Sequence, residues 1–141
     1  MYLSVVEPPD VAVLYAAIER NVEMKLPLML AVVGETVVGW CSVARNHRVG
    51  FEHSGILSIG VNGDYRGQGL GKRLLRETVE RARTIGISRI ELDVFASNTM
   101  AIDFYVNHNF ELEGRKRHAR CLNGVFDDVI CMALFEKAKE H

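Results

Sequence analysis

The chain has 141 residues, of which 48% are hydrophobic and 25% charged, with a formal net charge of −1. That is one domain with enough apolar residues to close a core, and it excludes both a disordered chain and a generally basic nucleic-acid-binding protein. The three cysteines, Cys41, Cys121 and Cys131, are odd in number and far apart, which argues against a disulfide framework or a C-x-x-C metal site and predicts free, mostly buried thiols.

Residues 1–10 lack the basic region and long apolar core of a signal peptide, and no apolar run reaches membrane-spanning length. A cytoplasmic protein with no membrane or nucleic-acid partner is therefore expected. After Pro8-Pro9, Asp10 followed by Val11, Leu14, Tyr15 and Ile18 predicts a capped first helix. Residues 28–33 and 36–44, joined by Gly34-Glu35, read as a hairpin, and residues 55–61 as a strand feeding a glycine-rich turn. Leu70, Leu74, Leu75, Val79, Ala82 and Ile85 line one helical face, closed by Gly86 as a left-handed cap. Arg89 to Phe95 alternates Ile90, Leu92 and Val94 against Glu91, Asp93 and Phe95, which makes a strand with a carboxylate-bearing face. Asn98 caps a short helix to about His108, and a final hairpin turns at Asn123-Gly124 between residues 110–121 and 127–135. The histidines at 47, 53, 108, 118 and 141 have no metal-ligand spacing, so no metal is required.

The run from Ser58 to Lys72 is a strand, a tight turn and a helix start together. Gly67, Gly69 and Gly71 remove every second Cβ, so that successive N–H groups can converge on an anion at a helix N-terminus. Lys72 and Arg73 fall in the first helical turn, where cations are disfavoured unless a bound polyanion offsets them. The run is not a Walker A loop, because Arg73 follows Gly71-Lys72 where a Ser or Thr is needed. It offers G-x-G-x-G rather than the dinucleotide fingerprint G-x-G-x-x-G, although Glu91 and Asp93 fall near where a ribose-binding carboxylate would stand.

Arg66-x-x-Gly69-x-Gly71, followed at the expected distance by Asn98-x-x-Ala101-Ile102-x-Phe104-Tyr105 and Asn109-Phe110, resembles the GNAT superfamily of acetyl-CoA-dependent N-acetyltransferases. The resemblance continues through Gly114, Asn123-Gly124, Asp128 and Met132-Ala133, covering roughly residues 28–135, and its C-terminal half is closest to the branch that acetylates amino acids and small amines. It implies an α/β fold: a mixed, mostly antiparallel central sheet with helices on both faces and a splay between the family's fourth and fifth strands, here ending at Val61 and Phe95. The N-terminal helical part is short, with room for one helix where two usually wall the acceptor site.

The resemblance implies a direct acetyl transfer in a ternary complex, with acetyl-CoA as cosubstrate and no metal. The acceptor is a small-molecule amine or a peptide N-terminus, and a homodimer is among the possible assemblies. Arg66, Gly67, Gln68, Gly69, Leu70, Gly71 and Lys72 would hold the pyrophosphate, and Ile59, Gly60 and Val61 the pantetheine arm through main-chain groups freed by a bulge. A glycine at mid-strand position 60 fits a bulge. Asn98 would contact the cofactor and Tyr105 would be the general acid to the departing thiolate. Many relatives carry a carboxylate where this chain has Ile56. A second arrangement, that of the ribosomal-protein N-terminal acetyltransferases, places it at Asp93, with Glu52, His53, Glu91 or water as rivals. Asp127 or Asp128 could hold a cationic acceptor, whereas the run Arg115 to Arg120 points to an acidic or carboxylate-bearing one. Two other classes stay open: a non-catalytic acyl-CoA-binding module, suggested by Ile56, and a dinucleotide-binding domain, suggested by the glycines with Asp93.

Overall fold

Six strands and two α-helices alternate along residues 27–136, the part of the chain described by this computed structural model. They are β1 (Leu28–Val33), β2 (Thr36–Arg45), β3 (Ser54–Val61), α1 (Leu70–Thr84), β4 (Arg89–Phe95), α2 (Thr99–Asn107), β5 (Glu111–Leu122) and β6 (Val125–Phe135). The helix expected over residues 10–18, and with it the shortened wall of the acceptor site, lies outside the described residues.

The strands form one sheet in the order β1-β2-β3-β4-β6-β5. Every neighbouring pair is antiparallel except β3 and β4. That order rules out the dinucleotide-binding alternative, which needs a sheet of mostly parallel strands. Local chemistry sets the turns. Asn123 (φ 51°) and Gly124 (φ 77°) supply the two left-handed residues of a tight hairpin between β5 and β6, and Gly86 (φ 89°) ends α1 just after its C-cap, Ile85.

The register assigns the faces. Cys41, Val43, Leu57, Ile59, Val61, Ile90, Leu92, Val94, Ile130 and Met132 all point to one side of the sheet, where they are 0–5% exposed. Leu74, Leu75, Val79 and Ala82 of α1 join the same cluster, as do Ala101 and Tyr105 of α2. The apolar stripe of α1 recurs at i, i+1, i+5 and i+8, so burying it against β1–β3 fixes that helix on the sheet. Both described helices therefore share one face. The other face carries Ile56, Glu91, Asp93 and Phe95.

The feature that positions the site is where β3 and β4 stop pairing. Their parallel ladder runs only from Ser54↔Arg89 to Ile56↔Glu91. Beyond that rung β3 continues to Val61 and β4 to Phe95, so the sheet opens as a fork about 16 Å deep along β3.

Candidate active site

The glycine turn lies at the open end of the fork. Asn62 starts it by accepting the N–H of Asp64 at 3.0 Å, a 3₁₀ turn spans Gly63–Tyr65, and Arg66 leads out in extended conformation. Gly67 (φ 76°) and Gly69 (φ 75°) are both left-handed, with nothing within 4 Å of where a Cβ would stand. Gly69 is the N-cap of α1 and offers no side-chain cap, and the first turn of that helix holds no acidic residue. The first intrahelical bond is from the N–H of Arg73 to Gly69. The N–H groups of Leu70, Gly71 and Lys72 thus precede the helical ladder, next to the positive end of the helix dipole.

Gly71 works differently from the expectation that three glycines clear one cradle. Its φ is helical, and a Cβ there would meet Phe104 of α2 at 3.7 Å and Val61 at 3.8 Å, which are ordinary contacts. Neither its backbone conformation nor the space around it requires a glycine. Arg66, Gln68 and Lys72 are exposed, and Leu70 is half-buried.

Ile59, Gly60 and Val61 are buried beyond the last rung of the β3–β4 ladder. The bulge expected at Gly60 is absent: β2 and β3 pair in unbroken register from Arg45↔Gly55 to Gly39↔Val61. What opens this strand toward β4 is the fork itself, not an extra residue.

Across the fork, Asn98 caps α2, its Oδ1 accepting the N–H of Ala101 at 3.2 Å. Tyr105 sits two turns further on and is 0% exposed. Its ring meets Phe104 edge-on at 5.6 Å between centroids and Phe110 at 5.5 Å. Those contacts fix the phenol on the helical side of the sheet.

The carboxylates named for the base separate by position. Asp93 is exposed, on the opposite face, past the last rung. Glu91, on the rung, is bound by Arg89 at 2.9 Å. Arg89 also binds Glu113 in two hydrogen bonds, and that contact holds the Glu113 carboxyl below its ordinary value. Glu52 and His53 precede β3, and the His53 carbonyl takes the N–H groups of Ser88 and Arg89 just before β4. They lie at the closed end, some 25 Å of strand from Val61. Of the four side chains, Asp93 alone stands at the open end.

Asp93 has a neighbour that the sequence did not announce. It lies directly opposite Cys131 on β6, so the carboxylate and the thiol are neighbours on one face of the sheet. Burial and the Asp93 carboxylate push the Cys131 thiol up, while the charge of Lys116 on β5 pulls it down. Of the three cysteines only Cys41 is buried, its thiol pushed up to about 12 by desolvation; Cys131 is half-buried and Cys121 exposed, which corrects the expectation of mostly buried thiols.

Asp127 and Asp128, considered as holders of a cationic acceptor, are already engaged. Asp127 takes the hydroxyl of Ser97, its N–H at 3.2 Å and the Arg120 guanidinium at 3.1 Å. The Ser97 hydroxyl first, and Arg120 after it, hold the Asp127 carboxyl below the ordinary carboxylate range. Asp128 takes the His118 N–H at 2.7 Å and Arg115 at 3.0 Å. Arg120 in turn lies 3.8 Å over the ring of Phe95. This network ties the Ser97-Asn98 turn, and so the start of α2, to the β5–β6 hairpin.

One further groove begins at the glycine turn. It has a volume of ≈ 880 Å³ between α1 and the end of α2, with Lys72, Arg76, Arg83 and His108 around an apolar floor of Phe110 and Leu134. Its α1 cations fall at i, i+4 and i+11, with Glu80 lining the groove between Arg76 and Arg83, so a helical projection from Lys72 could have found them.

The model of the acetyltransferase (GNAT) family matches residues 3–110, and the chain belongs to that family. It is 30% identical over 106 residues to an L-amino acid N-acetyltransferase of Escherichia coli, a match covering 74% of this chain and 65% of that protein. The chain spans less than two thirds of that relative's length. Among solved structures it resembles a ribosomal-protein-alanine N-acetyltransferase from Brucella melitensis (26% identity, TM-score 0.81, 91% of this chain and 80% of that one). A phosphinothricin acetyltransferase from Sinorhizobium meliloti in complex with acetyl-CoA shares the fold (22% identity, TM-score 0.80, 91% and 70%).

Proposed function

We propose that this protein moves an acetyl group from acetyl-CoA to the primary amine of an amino acid, a small amine or a protein N-terminus, by direct attack in a ternary complex. The observation that carries the reading is the fork beyond Ile56↔Glu91, with the α1 N-terminus at its mouth, Tyr105 on one side of the sheet and Asp93 on the other. The names of the Escherichia coli and Brucella relatives support an amine acceptor.

The N–H groups of Leu70, Gly71 and Lys72, with the Lys72 ammonium, hold the pyrophosphate, and the basic groove beside α1 takes the nucleotide end. The thioester arm enters the fork along Ile59 to Val61. Asp93, directly or through water, takes a proton from the acceptor ammonium. The freed nitrogen attacks the thioester carbonyl, the C–S bond breaks, Tyr105 gives its proton to the thiolate, and the second proton shed by the new amide nitrogen passes through water to restore the phenol. Cys131 is no nucleophile here, because its thiol is held protonated beside Asp93.

A thermal-shift series tests the reading first: acetyl-CoA and CoA raise the Tm while NAD and ATP at matched concentration do not. Free-thiol release with a panel of amines then separates an enzyme from a non-catalytic acyl-CoA-binding module. Equal stabilisation by NAD, or binding of acetyl-CoA without turnover of any amine, refutes it.

A further inference from the structure

The sheet face that carries Asp93 holds a second charged group whose partner is missing. Residues opposite one another in the register share a face, so Arg89, Glu91, Asp93 and Phe95 of β4 lie beside Asp127, Val129, Cys131 and Ala133 of β6, and beside Glu111, Gly114, Lys116 and Arg120 of β5. Three cations stand on this face. Arg89 is bound by Glu91 and Glu113, and Arg120 by Asp127. Lys116 alone, among the described strand residues of this face, has no carboxylate partner.

The floor between Asp93 and Lys116 is flat. Cys131 lies opposite Asp93, Gly114 opposite Cys131, and a Cβ on Gly114 would meet nothing within 4 Å. Two strand spacings, about 10 Å, plus one step along β5 separate the two backbones. A lysine side chain reaches across much of that gap, leaving room for a molecule of a few heavy atoms between its ammonium and the Asp93 carboxylate. The stacked Arg120 and Phe95 close the open end.

A base at one end and an uncompensated ammonium at the other suit a compact zwitterion: the amine turned to Asp93, an anion turned to Lys116. Resting on the acetyl-transfer reading above, we infer that Lys116 binds the carboxylate of the acceptor, which is a free α-amino acid and not a peptide N-terminus. In a peptide the α-carboxyl has become a neutral amide, which gives Lys116 no charge to bind.

The test uses the full chain with acetyl-CoA, free-thiol release, and a panel of L-amino acids beside their α-amides and the dipeptides that begin with them. The acid is expected to be preferred over its amide by about tenfold in kcat/KM, the weight of one partly solvated ion pair. That ratio falls toward one in Lys116→Met, inverts in Lys116→Glu and returns in Lys116→Arg. Turnover of amides or dipeptides equal to that of the acids, or an acid preference that survives Lys116→Met, overturns the inference and leaves acetyl transfer standing. Turnover of none of them overturns the inference, and turnover of no small amine either, with acetyl-CoA still raising the Tm, overturns the acetyl-transfer reading as well.

Discussion

Removing the Tyr105 hydroxyl separates chemistry from packing more cleanly than any other single change. Tyr105→Phe keeps the ring and both of its aromatic contacts, at 5.6 and 5.5 Å, and deletes one oxygen. The stability change should be within about 1 kcal/mol, because the packing of the ring is kept. Deleting the ring is different: at 0% exposure in the middle of the core, Tyr105→Ala should cost roughly 3–5 kcal/mol and lower the Tm by roughly 10–20 °C. If Tyr105 is the general acid, the two variants lose kcat by similar factors, about a hundredfold or more, although their stabilities differ by several kcal/mol. Free-thiol release at saturating acetyl-CoA, below the Tm of the weaker variant, reads kcat; a thermal-shift titration reads acetyl-CoA affinity, which Tyr105→Phe should leave nearly unchanged. A Tyr105→Phe enzyme with full kcat refutes the assignment. So does a loss of kcat that follows stability across the two variants, because packing alone would then explain it.

Asp93→Asn should lower kcat/KM most at neutral pH, flatten the acidic limb of its pH dependence and recover at high pH, where the amine is already neutral; an acidic limb identical to that of the parent removes Asp93 as base. Gly69→Ala forces a left-handed alanine at the N-cap and should cost about 1–2 kcal/mol and weaken acetyl-CoA binding, whereas Gly71→Ala, helical and with room for a methyl, should leave stability unchanged or raise it by up to about 1 kcal/mol. Thermal shifts with and without acetyl-CoA compare them, and equal losses in both count against the distinction between the two glycines. Asp127 has a depressed carboxyl, so its contribution is present above the ordinary carboxylate range and lost as pH falls through the folded value. The Tm gap between the parent and Asp127→Asn should therefore be full at pH 7 and close below about pH 4; a gap that persists at lower pH means that the Ser97 and Arg120 contacts do not depend on the charge.

Features decided by short-range chemistry were legible in the chain. The strand Arg89–Phe95, the Gly86 cap, the Asn98 cap and the Asn123-Gly124 turn all stand where alternation, capping and left-handed residues put them. The glycine turn and Tyr105 were legible through a spaced pattern. What was hidden is register. β5 carries irregularities between Leu112 and Gly114 and between Lys116 and Arg120. The first puts Leu112 and Gly114 on opposite faces although they are two apart, whereas the second sets four residues of β5 against two of β6 and leaves Lys116 and Arg120 on one face. No alternation count could therefore say that Lys116 shares a face with Asp93, or that Arg115 and Arg120 are spent on Asp128 and Asp127. The bulge expected at Gly60 failed for a related reason: a glycine in mid-strand signals close approach as readily as an extra residue.

The two faces of the sheet impose an order on the chemistry. Tyr105 and the α1 N-terminus lie on the helical side, while Asp93 and Lys116 lie on the other, and a paired sheet would keep them apart. Only past Ile56↔Glu91, where β3 and β4 no longer share a ladder, can a thioester held from one side meet an amine held from the other. A carboxylate at position 56 would stand on that last rung, beside a Glu91 already bound to Arg89. Asp93 stands one same-face position further along β4, beyond the rung and clear of Arg89. Its neighbour across the ladder is Cys131, whose thiol burial and the Asp93 carboxylate push up. On the proposed reading the fork thus leaves Asp93 where an acceptor ammonium can reach it from the open side of the sheet.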